Sequence, residues 1–464
     1  MNPMRASMHL SKTRGLPQTL SVLVSIPLSI LRSIPKGALC AWVLLAIPVM
    51  QTRAADSLEG PLLSAEEAVR IGLENNYALA LSRDQTSLAT LNRQSGIGPF
   101  LPTASANANN SGELGTGTNA PSRTTVGVSA NAQLFNGFQS AFAYKRLKAQ
   151  ETAATERERG AVESTVESIL AAYYGIAQQK LQQAAIREAL AVSRERATLA
   201  QARQEVGAGS RLDNLQAQAD LNADSSALME QENTLREARM RLNGLLARDP
   251  VTAFDVPDTI PVESGLPLET WRASLSERNA TVRAARLQVK ASSLSVREAR
   301  GAYLPSLTGG LSYSTAPDAL NSTTSTGTDA VTYNLNLSLP LFNGLRTRQS
   351  VGASRFAQRQ EEIGLKQSEQ DVRTSFAEAE GRYRSGLRQI ALEERNLDVA
   401  RQQAEAARER FRVGASSSLE FRDAQQRLLN ARGRLANIRQ SVKLSELALR
   451  RLAGVLASPV SPEN

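Results

Sequence analysis

The side chains that most often carry catalysis are nearly missing from this sequence. Its 464 residues hold one His and one Cys, and both, His9 and Cys40, lie in the first 55 positions. The same stretch carries Arg5, Lys12, Arg14, Arg32, Lys36 and Arg53 and no acid. Residues 56–464 therefore offer no thiol nucleophile, no imidazole base, no Cys/His zinc site and no disulfide. Without those six bases the formal charge of +9 falls to +3. The pI of 9.9 thus reflects the leader, and no nucleic-acid partner is expected. What remains is carboxylate, guanidinium and amide groups on long polar surfaces. The chain does not read as an enzyme, and no cofactor or metal is expected.

Residues 1–55 read as a signal peptide. Two apolar stretches, 20–31 and 38–50, precede residue 56. The second follows Arg32 and Lys36 and ends at Thr52-Arg53-Ala54-Ala55, a basic flank, a short apolar run and small residues. A run of about 13 residues is short for a spanning helix, which needs ~20. An inner-membrane anchor is the competing reading. No later segment is apolar for long enough to make a transmembrane helix, so an exported protein is expected.

The elements come from an internal repeat. Phe100-Leu101-Pro102 returns as Tyr303-Leu304-Pro305, and Leu134-Phe135-Asn136-Gly137 returns unchanged as Leu341-Phe342-Asn343-Gly344. Val206-Gly207-Ala208 returns as Val413-Gly414-Ala415, and Leu242-Asn243-Gly244-Leu245-Leu246 as Leu452-Ala453-Gly454-Val455-Leu456. The first repeat covers 56–248 and the second 268–456, joined by a Pro- and Asp-rich linker, 249–267, with a tail at 457–464. Each half predicts a helix of about 35 residues (64–98; 268–302) ending at the Leu-Pro step. Two strands follow around a Gly/Ser/Thr/Asn loop, then a very long helix (139–205; 346–412) and a closing helix (212–246; 419–456). At 1.5 Å per residue the long helices reach about 100 Å and the short ones about 50 Å. Two short helices end to end therefore match one long one. Val162, Val166, Ile169, Tyr173 and Ile176 are spaced as a coiled-coil seam, on a surface otherwise rich in Ala, Gln, Glu, Arg and Ser. A hollow tube wall and a solid fibrous coiled coil fit these helices equally.

The strands discriminate. Val126, Val128, Ala130, Ala132 and Leu134 alternate with small polar residues, as do Val331, Tyr333, Leu335, Leu337 and Leu339. Leu307, Gly309, Leu311 and Tyr313 repeat the pattern more weakly, and Ala104, Ala106 and Ala108 most weakly. Strands of about 9–11 residues suit a tilted bilayer crossing, and the uncharged polar face suits a watery lumen. Phe100, Phe135, Tyr303 and Phe342 are placed at the helix-facing strand ends, where an aromatic girdle is expected. Four strands cannot close a membrane barrel, which needs about eight, and open edges in lipid leave backbone groups unpaired. Several chains are therefore expected to share one barrel. A soluble β-sandwich is the alternative for the strands. For the whole chain it is a soluble periplasmic coiled-coil scaffold or adaptor protein.

These motifs, in duplicated order with the opening Leu63-Ser64-Ala65-Glu66-Glu67-Ala68, resemble the TolC family of outer-membrane efflux proteins over most of residues 62–456. The resemblance implies a mainly α fold with a transmembrane β portion. A long α-helical coiled-coil barrel would carry four strands per chain, closing a 12-stranded barrel in a homotrimer. It implies a place in the outer membrane with a tunnel through the periplasm, acting as the passive exit duct of a tripartite efflux pump or type I secretion system. Outer-membrane lipid, a periplasmic adaptor (membrane fusion) protein and an inner-membrane transporter of RND, ABC or MFS type are the implied partners.

On that resemblance Val206, Gly207, Val413 and Gly414 are the adaptor-contact tips, and Glu420 and Asp423 ring the periplasmic aperture, with Asp213 supporting the closed state. Acids in the first turns of a helix also complement its dipole, and glycines at such tips also serve as turn residues. The sequence departs from the family pattern at Phe411 and Ser416, where some members have a Tyr and an Arg that bond across the tips. Arg211 lies in the first tip instead. A weaker or rewired closing network is expected.

Overall fold

Repeated sequence produces repeated elements of equal length. In a computed structural model describing residues 60–112, 122–316 and 329–456, the chain runs α1 (Ala65–Asn75), α2 (Tyr77–Ser95), β1 (Thr103–Gly112), β2 (Ser122–Asn136), α3 (Gln139–Glu205) and α4 (Arg211–Leu245). The second half runs α5 (Leu268–Arg278), α6 (Ala280–Gly301), β3 (Ser306–Thr315), β4 (Ala330–Ser338), α7 (Arg346–Arg412) and α8 (Ser418–Leu452). The leader, the two strand-to-strand loops and the tail 457–464 lie outside the described residues. Among those described, no helix is long and apolar enough to cross a membrane.

The long helices, 67 residues each, fall where the sequence puts them. The first helix of each half does not, because it is two helices. Asn76 leaves the helical region (φ −63°, ψ 125°), and its carboxamide oxygen accepts from the N–H groups of Ala78 and Leu79. Asn279 does the same for Thr281 and Val282. Each Asn also donates its Nδ2–H to the end of another helix, Asn76 to Leu245 O at 2.8 Å and Asn279 to Leu452 O at 3.0 Å. The end of α4 therefore meets the α1/α2 junction, and the end of α8 meets the α5/α6 junction. Short helices stack end to end along α3 and α7.

Along α3 the seam is buried: Ile169, Tyr173 and Ile176 pack with Leu235 and Leu242 of α4, with Leu246 just beyond it, and with Leu63 and Ala68, while Val166 is buried and Val162 is half-buried. A matching cluster joins Trp271 and Leu275 of α5, Val282 of α6, Phe376 and Tyr383 of α7, and Leu449 and Leu452 of α8. The linker between the halves is packed into this core. Phe254 and Val256 are buried, Leu63 N–H donates to Asp255 O at 2.8 Å, and the Asp255 carboxylate bridges Lys180 and Arg239 at 2.7 and 3.0 Å.

The strands form one antiparallel sheet in the order β1-β2-β3-β4, with β1 and β4 at its edges. The register aligns the alternation of all four strands: Ala106, Val128, Tyr313 and Val331 form one row, and Ala104, Ala130, Leu311 and Tyr333 the next. The opposite face carries Ser105, Ser129, Ser312 and Thr332, with hydroxyls joined at 3.0 and 2.7 Å. The apolar face is exposed in the single chain, 86% at Tyr333 and 69% at Leu337. One irregularity departs from simple alternation. The pairing shifts between Gln133 and Phe135, leaving Leu134 as the extra residue of a bulge. Phe135 therefore pairs with Leu307, which pairs with Leu337.

Candidate functional site

At the end of the helices remote from the sheet, the chain reverses twice by the same device. α3 is capped by Val206, and Gly207 follows at φ +72°. Ala208 N–H donates to Arg203 O at 2.8 Å and Gly207 N–H to Gln204 O at 3.1 Å, the paired bonds that close a helix through a left-handed residue. α7 ends alike: Gly414 sits at φ +78°, and Ala415 and Gly414 donate to Arg410 O and Phe411 O at 2.8 and 3.1 Å. A Cβ on either glycine would meet no atom within 4 Å. Glycine is required for its φ alone. Val206 and Val413 project into solvent, 78% and 77% exposed.

Ser210 and Ser417 open the helices that follow, their hydroxyls accepting from Leu212 and Glu420 N–H. Ser417-x-x-Glu420 has capping-box spacing, but the Glu420 carboxylate pairs with Arg410 of α7 at 2.9 Å. Asp423, one turn on, pairs with Arg427 at 2.9 Å. Both acids are exposed on α8, and Asp213 is exposed in the first turn of α4. The structure thus brings Glu420 close to Asp423 and gives each a cationic neighbour in its own chain.

Phe411 is buried. It stacks on Phe421 of α8, with ring centroids 5.3 Å apart. Arg203 lies over the same ring, 4.9 Å from its centroid, and donates to Phe411 O at 2.7 Å. The two tips are tied by Arg203, whereas Arg211 is exposed and Ser416 Oγ has no hydrogen-bond partner among the described residues.

Just behind the tips lies a buried polar cluster that the sequence reading missed. Arg422 of α8 reaches between α3 and α4, donating to both carboxylate oxygens of Asp224 at 2.6 and 2.9 Å. Ser193 Oγ donates to the same carboxylate. Arg196, 1% exposed, pairs with Asp220. Gln425, one turn beyond Arg422, donates to Ala189 O at 2.6 Å. Burial alone would raise the Asp224 carboxyl, but the bonds from Arg422 and Ser193 outweigh it and hold the pKa below the ordinary carboxylate range. The Arg422 guanidinium is correspondingly raised by its bond to Asp224. A signal existed in the repeat: at the 207-residue offset of the two tips, Ser193, Arg196, Asp220 and Asp224 correspond to Ala400, Gln403, Arg427 and Ala431. Neither carboxylate nor Arg196 is repeated in the second half.

At the sheet end, Phe100, Tyr303 and Phe342 are exposed beside the strand termini. Phe135 is half-buried, and its ring meets Phe138 edge to face at 5.1 Å.

Two half-repeats of stacked helices, reversing at one end and carrying an amphipathic open sheet at the other, are the build of an outer-membrane channel protomer. The chain belongs to the outer membrane efflux protein family, whose model matches residues 72–248 and 271–455. It is 25% identical over 426 residues to the outer membrane efflux protein BepC of Brucella suis, covering 90% of each chain. It is 25% identical to the alkaline protease secretion protein AprF of Pseudomonas aeruginosa, covering 85% of this chain and 87% of the other. Among solved structures, CusC aligns with a TM-score of 0.74 at 18% identity, over 84% of this chain and 92% of that one. The outer membrane protein VceC of Vibrio cholerae aligns at 0.74 and 17% identity, over 84% and 96%. The protein is an outer-membrane exit channel, with its sheet in the membrane and its helices reaching into the periplasm. The family and these neighbours are channels, not enzymes.

Proposed function

We propose that three copies close a 12-stranded barrel and a helical tunnel that together form the passive duct of a tripartite efflux pump or type I secretion system. One observation carries this reading: a four-stranded sheet with two free edges and an apolar face exposed at Val126, Val128, Leu311, Tyr333, Leu335 and Leu337. Lipid tolerates neither unpaired edge, and threefold closure joins β1 of one copy to β4 of the next. A soluble scaffold or adaptor would leave that apolar face facing water.

In the trimer Glu420 and Asp423 become carboxylate rings at the periplasmic aperture, with Asp213 beside them, favouring cations at the entrance. Val206, Gly207, Val413 and Gly414 are the adaptor contacts, supported by two matching reversals whose valines are 78% and 77% exposed. Phe100, Phe135, Tyr303 and Phe342 form the girdle at the periplasmic membrane surface. The adaptor links the duct to an inner-membrane transporter of RND, ABC or MFS type, as secretion by the AprF relative and efflux by the BepC relative suggest.

The reading is tested by cross-linking. Residues 56–464 contain no Cys, so Ala106→Cys in β1 combined with Tyr333→Cys in β4 supplies the only thiols of the mature chain. Oxidation in outer membranes is expected to give covalent trimers. Monomers alone, or recovery in the soluble periplasm, would overturn it.

A further inference from the structure

We infer that the ends of α2, α3, α6 and α7 nearest the sheet form a basic collar that holds the anionic phosphate headgroups of phospholipids in the periplasmic leaflet. This goes beyond the duct reading and rests only on the sheet lying in the membrane. The twelve sheet-proximal residues of each helix, 84–95, 139–150, 290–301 and 346–357, together hold ten Lys or Arg and two acids. That is a net +8, against +3 for all of residues 56–464. The equivalent twelve residues of each helix at the tips, 194–205, 211–222, 401–412 and 418–429, also hold ten bases but eight acids. Bases are no denser near the membrane. Acids have been left out there.

The geometry leaves these bases without acidic partners. α7 presents Arg346, Arg348 and Arg355, all exposed, within about 14 Å of its start at 1.5 Å per residue. α3 adds exposed Lys145 and Lys148, and α6 adds exposed Arg297 and Arg300. Among the described residues none of these seven has an ion-pair partner. By contrast, Arg146 pairs with Glu298 at 2.8 Å and Arg93 with Glu151 at 2.7 Å. Arg346 donates to Asn343 O at 3.4 Å, but the first turn of α7 gives neither of its bases an acid. Cations in a first helical turn oppose the helix dipole, yet α7 starts with Arg346 and Arg348, has no acid in that turn and no side-chain cap at Leu345. An external anion supplies what the chain lacks, as it does at helix N-termini generally.

The order of residue types fixes which anion. Leu341 and Phe342, immediately on the sheet side of Arg346, are 91% and 81% exposed. Apolar side chains followed within a turn by bases are the sequence of an acyl-to-headgroup boundary. Clusters of four to eight Lys or Arg beside a membrane segment bind anionic lipid, and screening confines the effect to about 10 Å. Phosphatidylglycerol and cardiolipin are the chemistry that fits.

The experiment is native mass spectrometry of the detergent-purified trimer, with phosphatidylglycerol or phosphatidylethanolamine added at equal concentration. The wild type is expected to retain at least about threefold more phosphatidylglycerol. That preference should collapse in a Lys145→Gln/Lys148→Gln/Arg346→Gln/Arg348→Gln variant and persist when the tip bases Arg410 and Arg412 are neutralised. Unboiled gels and planar-bilayer conductance report whether the collar variant still assembles and conducts. Loss of lipid preference in a conducting trimer supports the collar without touching the duct. Equal retention of the two lipids by wild type overturns it, as does an undiminished preference in the variant. So does a collar-dependent co-sedimentation with purified peptidoglycan without lipid preference.

Discussion

The guanidinium of Arg422 holds both carboxylate oxygens of Asp224, at 2.6 and 2.9 Å. This contact joins the start of α8 to the α3/α4 hairpin of the other repeat. Arg422 lies two residues after Glu420 and one before Asp423. At 100° per residue it therefore leaves α8 on a different side from the acids proposed to ring the aperture. Gln425 adds its bond to Ala189 O in the same direction, and the Phe411–Phe421 stack fixes α8 to α7. The radial position of the acids is thus set from behind.

Breaking one partner of this pair leaves a buried charge without compensation, which costs about 3–5 kcal/mol in such sites. Arg422→Met is expected to lower the melting temperature of the purified protein and raise its resting conductance in planar bilayers. Arg422→Met/Asp224→Leu removes both charges and is expected to recover most of the stability. It should not recover the low conductance, because the hydrophobic pair has no fixed direction. A double variant as unstable as the single one would show that the contact is not the stabilising element.

The proposed aperture rings make a second expectation. Glu420→Ala/Asp423→Ala should raise single-channel conductance and lower cation selectivity in planar bilayers. Glu420 is also tied to Arg410 at 2.9 Å, so Arg410→Gln alone should strengthen cation selectivity by freeing the carboxylate. Unchanged conductance and selectivity in the double alanine variant would remove these residues from the aperture.

What the sequence made legible follows from range. The 67-residue helices, the Val-Gly reversals and the alternation of β2 and β4 are written in neighbours two to four residues apart, and each stands where the sequence places it. The Asn76 and Asn279 breaks are not legible in that way. An asparagine within a helical pattern is a weak signal, and what fixes the break is a carbonyl of a different helix, Leu245 or Leu452. The Leu134 bulge hides because the strand alternates cleanly up to it. The Arg422 cluster gathers side chains from three helices, separated by up to 232 residues, and each alone looks like one more polar group on a polar surface. Only the absence of counterparts to Arg196, Asp220 and Asp224 in the second half marks it.

The breaks themselves can be weighed. Asn279 is buried, accepts from two backbone N–H groups and donates to Leu452 O at 3.0 Å. Asn279→Ala loses an N-cap, about 1 kcal/mol, and strands a buried carbonyl, about 1 kcal/mol more. Asn76→Ala makes the same losses at a half-buried position and should cost less. Thermal melts of the two variants should rank in that order, with Asn279→Asp, which keeps the cap and loses the donor, between Asn279→Ala and wild type. The reverse ranking would place the effect outside the junction.

Glu163 on α3 gives the tunnel wall a pH dependence with a definite sign. Burial pushes its carboxyl up to about 7, against the pull of Arg159 and Arg451 and with a further push from Glu156. The unfolded chain releases this proton near the ordinary value of 4.5, so between about pH 4.5 and 7 the folded state binds more protons than the unfolded one. Stability from this group is therefore full below pH 4.5 and lost as pH rises through 7. Glu163→Gln keeps the shape and removes the ionisation. At pH 8 it should raise stability by about 2 kcal/mol per chain, seen as a higher melting temperature of the protein. At pH 4.5 the variant and wild type should melt together. A gain at pH 4.5 as large as at pH 8 would mean that the benefit comes from packing and that Glu163 titrates normally.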